Sequence, residues 1–293
     1  MMANFIEELN GKTLGNTRFI EKDGELFGRV CDSGVVCDYA VRDVRIKKPV
    51  KAVLTDLDGT TLTSEQFWIY IIEETVKRLL GDGKFSLTES DIPFVSGYTT
   101  NEHLGYCIKK YAPDKKLSDA NAIYHEIAKR ELDLVLKGEG RTDAFEPAEG
   151  LKEFLLTLKD RKIKIGLATS GLDYKAVPEI TAVFNRLGLG DPLAFYDSII
   201  TGGRRKDVGQ YGTLGEIAAK PHPWIYTELA YTGLRVNEET SVVGVEDSAA
   251  GLLSLRFAGF SAIGINGGNI KQSGLDCLCS AKVNALTDIL ALI

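Results

Sequence analysis

Two acidic residues two positions apart, Asp56 and Asp58, follow directly on the apolar run at residues 52–55. If that run is a buried strand and the chain turns at Gly59, both carboxylates reach one small volume. Such a pair suits a hard cation, which prefers oxygen ligands. One carboxylate can then attack phosphorus, while the other protonates a leaving oxygen and later deprotonates water. The pattern is also typical of a structural turn or a calcium loop, so the pair alone leaves those interpretations open.

A second polar pair, Thr169 and Ser170, follows the apolar run at residues 163–168. A hydroxyl at that point, with the free amides of the next helix start, can bind phosphate oxygens. Hydroxyls at such places also commonly cap helices, which is the alternative interpretation.

Two further sets complete the candidate chemistry. Lys220 stands before a predicted helix, where its charge would offset a nucleophile and a phosphoryl group. Glu246 and Asp247 end the apolar run at residues 241–245 and would complete a magnesium site. Taken singly, the lysine is equally a surface residue, and the acidic pair equally a helix N-cap.

The elements that must position these residues alternate between strands and helices, which predicts an α/β fold with a Rossmann-like parallel sheet. In such sheets ligands lie beyond the carboxyl ends of the strands, where the polar sets fall. The predicted strands are residues 52–55, 163–168, 195–200, 241–245 and 262–265, and the predicted helices are residues 150–160, 176–187, 223–232 and 249–258.

Two segments depart from this alternation. Residues 63–145 contain amphipathic patterns at 67–80 and 120–136, so we expect an inserted α-helical cap domain. Residues 1–50 are predicted to form a β-rich N-terminal extension, with a hairpin turning at Asp23 and Gly24 and a strand at 35–46. The α/β core is then residues 51–62 and 146–293.

Composition narrows the class of partner. The chain has 293 residues, with 35 basic and 41 acidic ones and a net charge of −6, which argues against a nucleic-acid partner. No apolar stretch approaches the length of about 18 residues that a membrane span needs, and no leader pattern opens the chain. The five cysteines form no disulfide framework, so we expect a cytoplasmic location. The oligomeric state stays open.

The four sets follow one another in the order D-x-D-G-T, Thr-Ser, Lys-Pro and Glu-Asp. Over residues 50–290 the chain thereby resembles the haloacid dehalogenase superfamily, in its branch with a helical cap after the first strand. The β-phosphoglucomutase and phosphoglycolate phosphatase-like group is the most similar. The motifs that carry the resemblance are residues 55–60, 167–170, 220–226 and 244–251.

The resemblance implies a Mg²⁺-dependent enzyme that acts on a small phosphorylated metabolite. Asp56 would be the nucleophile that becomes phosphorylated, and also a metal ligand. Asp58 would be the acid/base and lend its backbone carbonyl to the ion, while Asp247, with Glu246 nearby, would complete the metal shell.

For the phosphoryl group, the resemblance implies binding by Thr169 with help from Ser170 and Gly171. Lys220 would stabilise the charge of the nucleophile and the phosphoryl group. These roles suit phosphoryl transfer, in which the protein mostly positions groups and stabilises charge.

The resemblance leaves more than one activity open. Phosphosugar mutases of this group have a His about ten residues after the acid/base Asp and an Arg in the cap hinge; here Trp68 and Thr100 stand there. Both departures favour a phosphatase. A non-catalytic protein that retains the fold is a third hypothesis, which the intact acidic set disfavours.

Other candidates concern substrate choice. Trp68, Tyr70 and Tyr98 either line a pocket or belong to the helix core. The cations at residues 204–206 either bind a second acidic group of a substrate or lie in a solvated loop.

Overall fold

The computed structural model describes residues 2–32, 35–95, 100–202 and 219–293, and it confirms the predicted α/β fold. The strands are β1 Thr13–Leu14, β2 Thr17–Lys22, β3 Glu25–Asp32, β4 Val35–Ala40, β5 Ala52–Asp56, β6 Leu62–Thr63, β7 Glu146–Pro147, β8 Lys164–Ala168, β9 Ser198–Ile200, β10 Val242–Glu246, β11 Ser261–Ile265 and β12 Ala281–Val283. The α-helices are α1 Met2–Leu9, α2 Glu65–Leu80, α3 Ile92–Val95, α4 Thr100–Tyr111, α5 Leu117–Leu136, α6 Leu151–Asp160, α7 Asp173–Leu187, α8 Pro192–Phe195, α9 Trp224–Glu228 and α10 Ala249–Phe257.

The central sheet is parallel throughout its described strands, in the order β12-β11-β10-β5-β8-β9. Strands β5, β10 and β11 are buried along their whole length, as expected for a sheet covered on both faces. Thr55 of β5 pairs with Val245 on one side and with Leu167 on the other. The carboxyl ends of β8, β5 and β10 therefore lie side by side, and the candidate residues follow those three ends.

The N-terminal extension is a separate antiparallel sheet in the order β1-β2-β3-β4. Its predicted hairpin is present. Asp23 and Gly24 have positive φ angles of 53° and 77°, as a tight turn between β2 and β3 requires. The predicted strand at 35–46 is too long, because β4 ends at Ala40. Beyond it the Val44 carbonyl accepts hydrogen bonds from Arg256 at 2.7 Å and Ser280 at 2.9 Å, so side chains of the core replace a partner strand.

Other elements also differ from the sequence predictions. The predicted helix at 223–232 is α-helical only over Trp224–Glu228 and continues as a π-helix over Leu229–Gly233. Helix α1 and strand β12 were not predicted. The run at 195–200 is a strand only over Ser198–Ile200, because the short helix α8 precedes it. That helix begins with Pro192 in its first position, and the Asp191 carboxylate accepts a hydrogen bond from the Leu193 amide at 2.9 Å. This is the usual start signal for a helix, and it overrides the apolar character of the residues that follow.

The chain divides into two compact units. The first comprises residues 1–62, 147–176 and 184–293, and it contains both sheets just described. The second comprises residues 63–146 and 177–183 and is mainly helical. The role of residues 63–145 as a cap stays a prediction. Within the described ranges, no helix has both the length and the apolar character needed to cross a membrane.

The helical unit has a polar centre of its own. The Asp91 side chain is fully buried and accepts hydrogen bonds from Tyr106 at 2.7 Å, Lys110 at 2.6 Å and Tyr111 at 2.6 Å. Burial raises the pKa of this carboxyl, but the hydrogen bonds to its ionised form together outweigh burial and hold the pKa well below its usual value. The network joins α4 to the turn before α3, so Asp91 has a structural role.

Candidate active site

Asp56, the last residue of β5, lies at the centre of the predicted site. Its side chain is buried and forms an ion pair with Lys220, whose side chain is only 8% exposed. The Lys220 Nζ atom is also 2.7 Å from Glu246 Oε1 and donates to the Ala168 carbonyl at 3.3 Å. One ammonium group therefore bridges the ends of three adjacent strands, β8, β5 and β10.

Asp247 follows Glu246 and faces the turn after β5. The Thr60 hydroxyl donates to its carboxylate at 3.4 Å. Gly59 has a φ of +82°, and a Cβ atom at that position would lie 2.1 Å from Asp247 Oδ2. Glycine is therefore required twice over, for the left-handed turn and for the close approach of this carboxylate.

Asp56, Glu246 and Asp247 fit a divalent cation. Each of the three offers a carboxylate oxygen, and these oxygens lie within 4.8 Å of one another. When ionised, they carry three negative charges against the single positive charge of Lys220. Two negative charges are left without compensation in a largely buried place, which is costly unless a cation binds there. An all-oxygen donor set of this kind suits Mg²⁺.

Burial and mutual repulsion perturb the pKa values of this cluster. Burial, followed by repulsion from Glu246, raises the pKa of Asp56 well above its ordinary value, while Lys220 opposes the shift. The same two causes raise the pKa of Asp247 to about 7. Burial works against the charged form of Lys220, but attraction to Asp56 and Glu246 outweighs it, so the pKa of Lys220 is raised. The lysine is therefore a permanent cation at neutral pH.

Asp58 differs from its neighbours in exposure. Residues 52–57 are buried, whereas Asp58 is exposed to solvent. The turn that carries it is closed by the Gly59 amide, which donates to the Leu62 carbonyl at 2.7 Å, and by the Leu62 amide, which donates to the Leu57 carbonyl at 3.0 Å. An exposed carboxyl can exchange protons with water and with a leaving group, which the buried carboxylates of the cluster cannot do as readily.

The predicted phosphate-binding residues follow β8. Thr169 is buried and Ser170 is exposed. The Gly171 amide donates to the Thr169 hydroxyl at 3.0 Å, and the Lys220 amide lies 3.4 Å from the Ser170 hydroxyl oxygen. The structure thus brings the 169–171 turn and the Lys220 turn together at one strand end, as the motif order predicts.

Tyr226 is a residue of this site that the sequence analysis did not single out. It is fully buried in α9, and its hydroxyl donates to Glu246 Oε1, the oxygen that Lys220 also contacts. The Lys220 Nζ atom lies 4.8 Å from the centre of the Tyr226 ring. The sequence offered one indication of its role, since Tyr226 is the last residue of the 220–226 motif. Its hydroxyl keeps Glu246 oriented towards the lysine.

The candidates for substrate choice have other contacts in the helical unit. Trp68 Nε1 donates to the buried Glu179 at 3.1 Å, and its ring stacks on Tyr124 with the centroids 6.1 Å apart. Tyr70 packs under the Arg141 guanidinium, 4.8 Å from the ring centre. Tyr98 and the cations at 204–206 lie outside the described residues. The contacts of Trp68 with Glu179 and Tyr124 are typical of a residue packed between helices.

The pKa shifts predict how stability depends on pH when no divalent cation is present. Between pH 3.8 and about 7, the Asp247 carboxyl keeps its proton in the folded chain but loses it in the unfolded chain. Raising the pH over this range therefore lowers the free energy of unfolding. We expect Asp247→Asn to make this decline shallower, with part of it retained because the pKa of Asp56 is raised as well. Urea unfolding in chelator from pH 4 to pH 7.5 measures both slopes, and equal slopes would contradict the prediction.

A model of the haloacid dehalogenase-like hydrolase family matches residues 50–259. The matched range begins after the N-terminal sheet and includes every candidate residue of the site. No curated protein is significantly similar to the chain.

Solved structures share its fold. A predicted phosphoglycolate phosphatase from Haemophilus somnus 129pt is 16% identical, with a TM-score of 0.60 over 83% of this chain and 97% of that one. A HAD-superfamily hydrolase, subfamily IA, variant 1, from Geobacter sulfurreducens PCA is 18% identical, with a TM-score of 0.57 over 83% and 96%. CbbY from Rhodobacter sphaeroides, in complex with phosphate, is 20% identical, with a TM-score of 0.56 over 82% and 96%.

Proposed function

Because the chain belongs to the haloacid dehalogenase-like hydrolase family, we propose that it is a Mg²⁺-dependent phosphatase that hydrolyses a small phosphate monoester. The observation that carries the proposal is the buried Asp56 carboxylate at the end of β5, paired with Lys220 and close to Glu246 and Asp247. The reaction would pass through an aspartyl-phosphate at Asp56.

Mg²⁺ would be held by the carboxylates of Asp56, Glu246 and Asp247 and by the backbone carbonyl of Asp58. When bound, the ion neutralises charge on the phosphoryl oxygens and the carboxylates. Lys220 adds a fixed positive charge at the Asp56 oxygen Oδ1. Together, the two cations would reduce the electrostatic repulsion between the Asp56 carboxylate and a dianionic phosphate group, so that the phosphate can approach.

In the first step, a carboxylate oxygen of Asp56 attacks phosphorus, and the bond from phosphorus to the ester oxygen breaks. Asp58 donates a proton to that oxygen, so that the product leaves as a neutral alcohol. Thr169, with the backbone of Ser170 and Gly171, would hold the remaining phosphoryl oxygens. The attack requires an ionised Asp56, and the adjacent cations favour that form.

In the second step, Asp58 has become a carboxylate and accepts a proton from water. The resulting oxygen nucleophile attacks phosphorus, the bond to Asp56 breaks, and inorganic phosphate is released. Asp58 then holds a proton again and is ready for the next cycle. Its exposure to solvent suits this alternation between acid and base.

Hydrolysis is favoured over the phosphosugar mutase alternative by Trp68. A large ring held by Glu179 and Tyr124 stands at the position where the mutases of this group have a histidine. A mutase would also need a sugar bisphosphate as activator and would make isomer faster than free phosphate.

A panel of phosphate monoesters tests the proposed function. We expect phosphate release from at least one small sugar phosphate, phosphoglycolate or nucleotide in the presence of Mg²⁺, and loss of that activity in excess chelator. Restoring Mg²⁺ should restore it. Chelator-resistant turnover would contradict the metal requirement. Isomer formed without phosphate release would favour the mutase, and no turnover across the panel would favour the non-catalytic hypothesis.

We further propose the cytoplasm as the location of the protein, because the odd number of cysteines and their irregular spacing suit a reducing compartment.

A further inference from the structure

The N-terminal antiparallel sheet shares a hydrophobic core with elements that carry the candidate site. Phe19, Leu26 and Val41 belong to the same buried cluster as Tyr226 and Leu252. Tyr226 contacts Glu246, and Leu252 lies in α10, which follows Asp247. The sheet precedes the region matched by the family model, yet it is packed as an integral part of this unit.

Tyr39, in the edge strand β4, contacts His222, two residues after the proposed catalytic Lys220. Its hydroxyl oxygen lies 2.8 Å from His222 Nδ1, at hydrogen-bond distance. Its ring meets the imidazole edge-on, with an interplanar angle of 86° and centroids 5.7 Å apart. The two residues are 183 positions apart in the chain. Tyr39 therefore fixes the His222 ring by both a polar and an aromatic contact.

The position of Tyr39 is itself fixed by Phe257, at the end of α10. The two rings stack at 5.3 Å with an interplanar angle of 23°. Gly28 pairs with Tyr39 across β3 and β4, and a Cβ atom on Gly28 would lie 2.2 Å from the Phe257 ring. The missing side chain lets Phe257 lie against the sheet, so the sheet and α10 hold the tyrosine in one place.

His222 transmits this constraint to the turn that carries Lys220. The His222 amide donates to the Ala219 carbonyl at 3.1 Å, which closes the turn over Lys220. From the other side, the Ser254 hydroxyl donates to the His222 carbonyl at 2.6 Å. His222 is thus held at its ring by the N-terminal sheet and at its backbone by α10.

We propose that Tyr39 is a positioning residue for phosphoryl transfer, which acts through His222 to hold the Lys220 turn and so keep the lysine on Asp56 and Glu246. The N-terminal sheet would then support catalysis indirectly, by holding the Lys220 turn in place. This inference rests on the proposed function. Holding the backbone of Lys220 limits the positions open to its flexible side chain and so favours the one in which Nζ contacts both carboxylates.

The variant Tyr39→Phe tests the proposal, because it removes the hydroxyl and keeps the stacking ring. We expect kcat to fall about 3- to 10-fold, the effect of one lost hydrogen bond, with little change in KM. Tyr231→Phe is the matched control. It removes a tyrosine hydroxyl whose hydrogen bond goes to Glu239, at 3.2 Å, and not to a residue of the Lys220 turn. The control should keep wild-type kcat, and its Tm should fall slightly, by about as much as the Tm of Tyr39→Phe.

A double-mutant cycle separates positioning from general weakening of the fold. In the Lys220→Ala background, measured with an activated aryl phosphate, Tyr39→Phe should cause no further loss of kcat, since no ammonium group remains to be positioned. Wild-type kcat in Tyr39→Phe, or an equal loss with and without Lys220, would overturn the inference while leaving the proposed function intact. A wild-type protein without phosphatase activity would overturn the proposed function, and the inference with it.

Discussion

Asp56→Asn is expected to abolish phosphate release, with kcat lowered by about four orders of magnitude or more. The amide is nearly the same size as the carboxylate, so packing at the end of β5 should be preserved. It cannot attack phosphorus, and it carries no charge to pair with Lys220. The measurement is phosphate release under saturating substrate and Mg²⁺, together with circular dichroism and Tm to establish that the variant is folded.

Asp160→Asn is the matched control for this substitution. Asp160 is exposed at the end of α6, before β8 begins, and therefore near the sheet edge opposite to the candidate site. It should keep wild-type activity. A folded Asp56→Asn protein with more than about a tenth of wild-type kcat would contradict a nucleophilic Asp56, since residues of that type account for far larger effects.

The second large effect is expected for Asp58→Asn. Loss of general acid and base catalysis should lower kcat about 10²- to 10⁴-fold on an alkyl phosphate ester. On an activated aryl phosphate, the leaving group needs no proton, so formation of the phosphoenzyme should stay fast and its hydrolysis should limit turnover. We therefore expect a rapid burst of aryl alcohol, equal in amount to the enzyme, followed by a slow steady state.

A variant that had merely lost its fold would be slowed equally on both kinds of ester, so the dependence on the leaving group distinguishes loss of the acid/base from unfolding. Asp160→Asn, which removes an exposed aspartate outside the site, is the control here as well. If Asp58→Asn slowed alkyl and aryl esters equally and gave no burst, Asp58 would not be the acid/base.

The proximity of the site residues could be predicted from the sequence, because each lies at the carboxyl end of a strand in a parallel sheet. Asp56 and Glu246 end β5 and β10, and Thr169 follows β8; the three strands are neighbours in the sheet. The spacing from strand to polar residue is local information, and the topology rules for alternating strands and helices supply the rest. What the pattern did not predict was the difference in environment, with Asp56 buried and Asp58 exposed two positions later.

Other features could not be predicted because they depend on distant contacts. The contact between Tyr39 and His222 joins positions that no local pattern links. The predicted strand at 35–46 was wrong beyond Ala40 because Ala40 pairs with Phe27 and β3 begins at Glu25, so the partner strand runs out there. Strand β12 has three residues and exists only because β11 offers an edge to pair with. In each case tertiary context outweighs local propensity.

The central claim is that Asp56 becomes covalently phosphorylated. Asp58→Asn, mixed with an activated aryl phosphate and Mg²⁺ and quenched in acid during the slow phase, should carry one phosphoryl group on the peptide that contains Asp56, as read by mass spectrometry. The same treatment of Asp56→Asn should give unmodified protein. Rapid turnover by a protein whose Asp56 peptide never carries phosphate at any quench time would contradict the account.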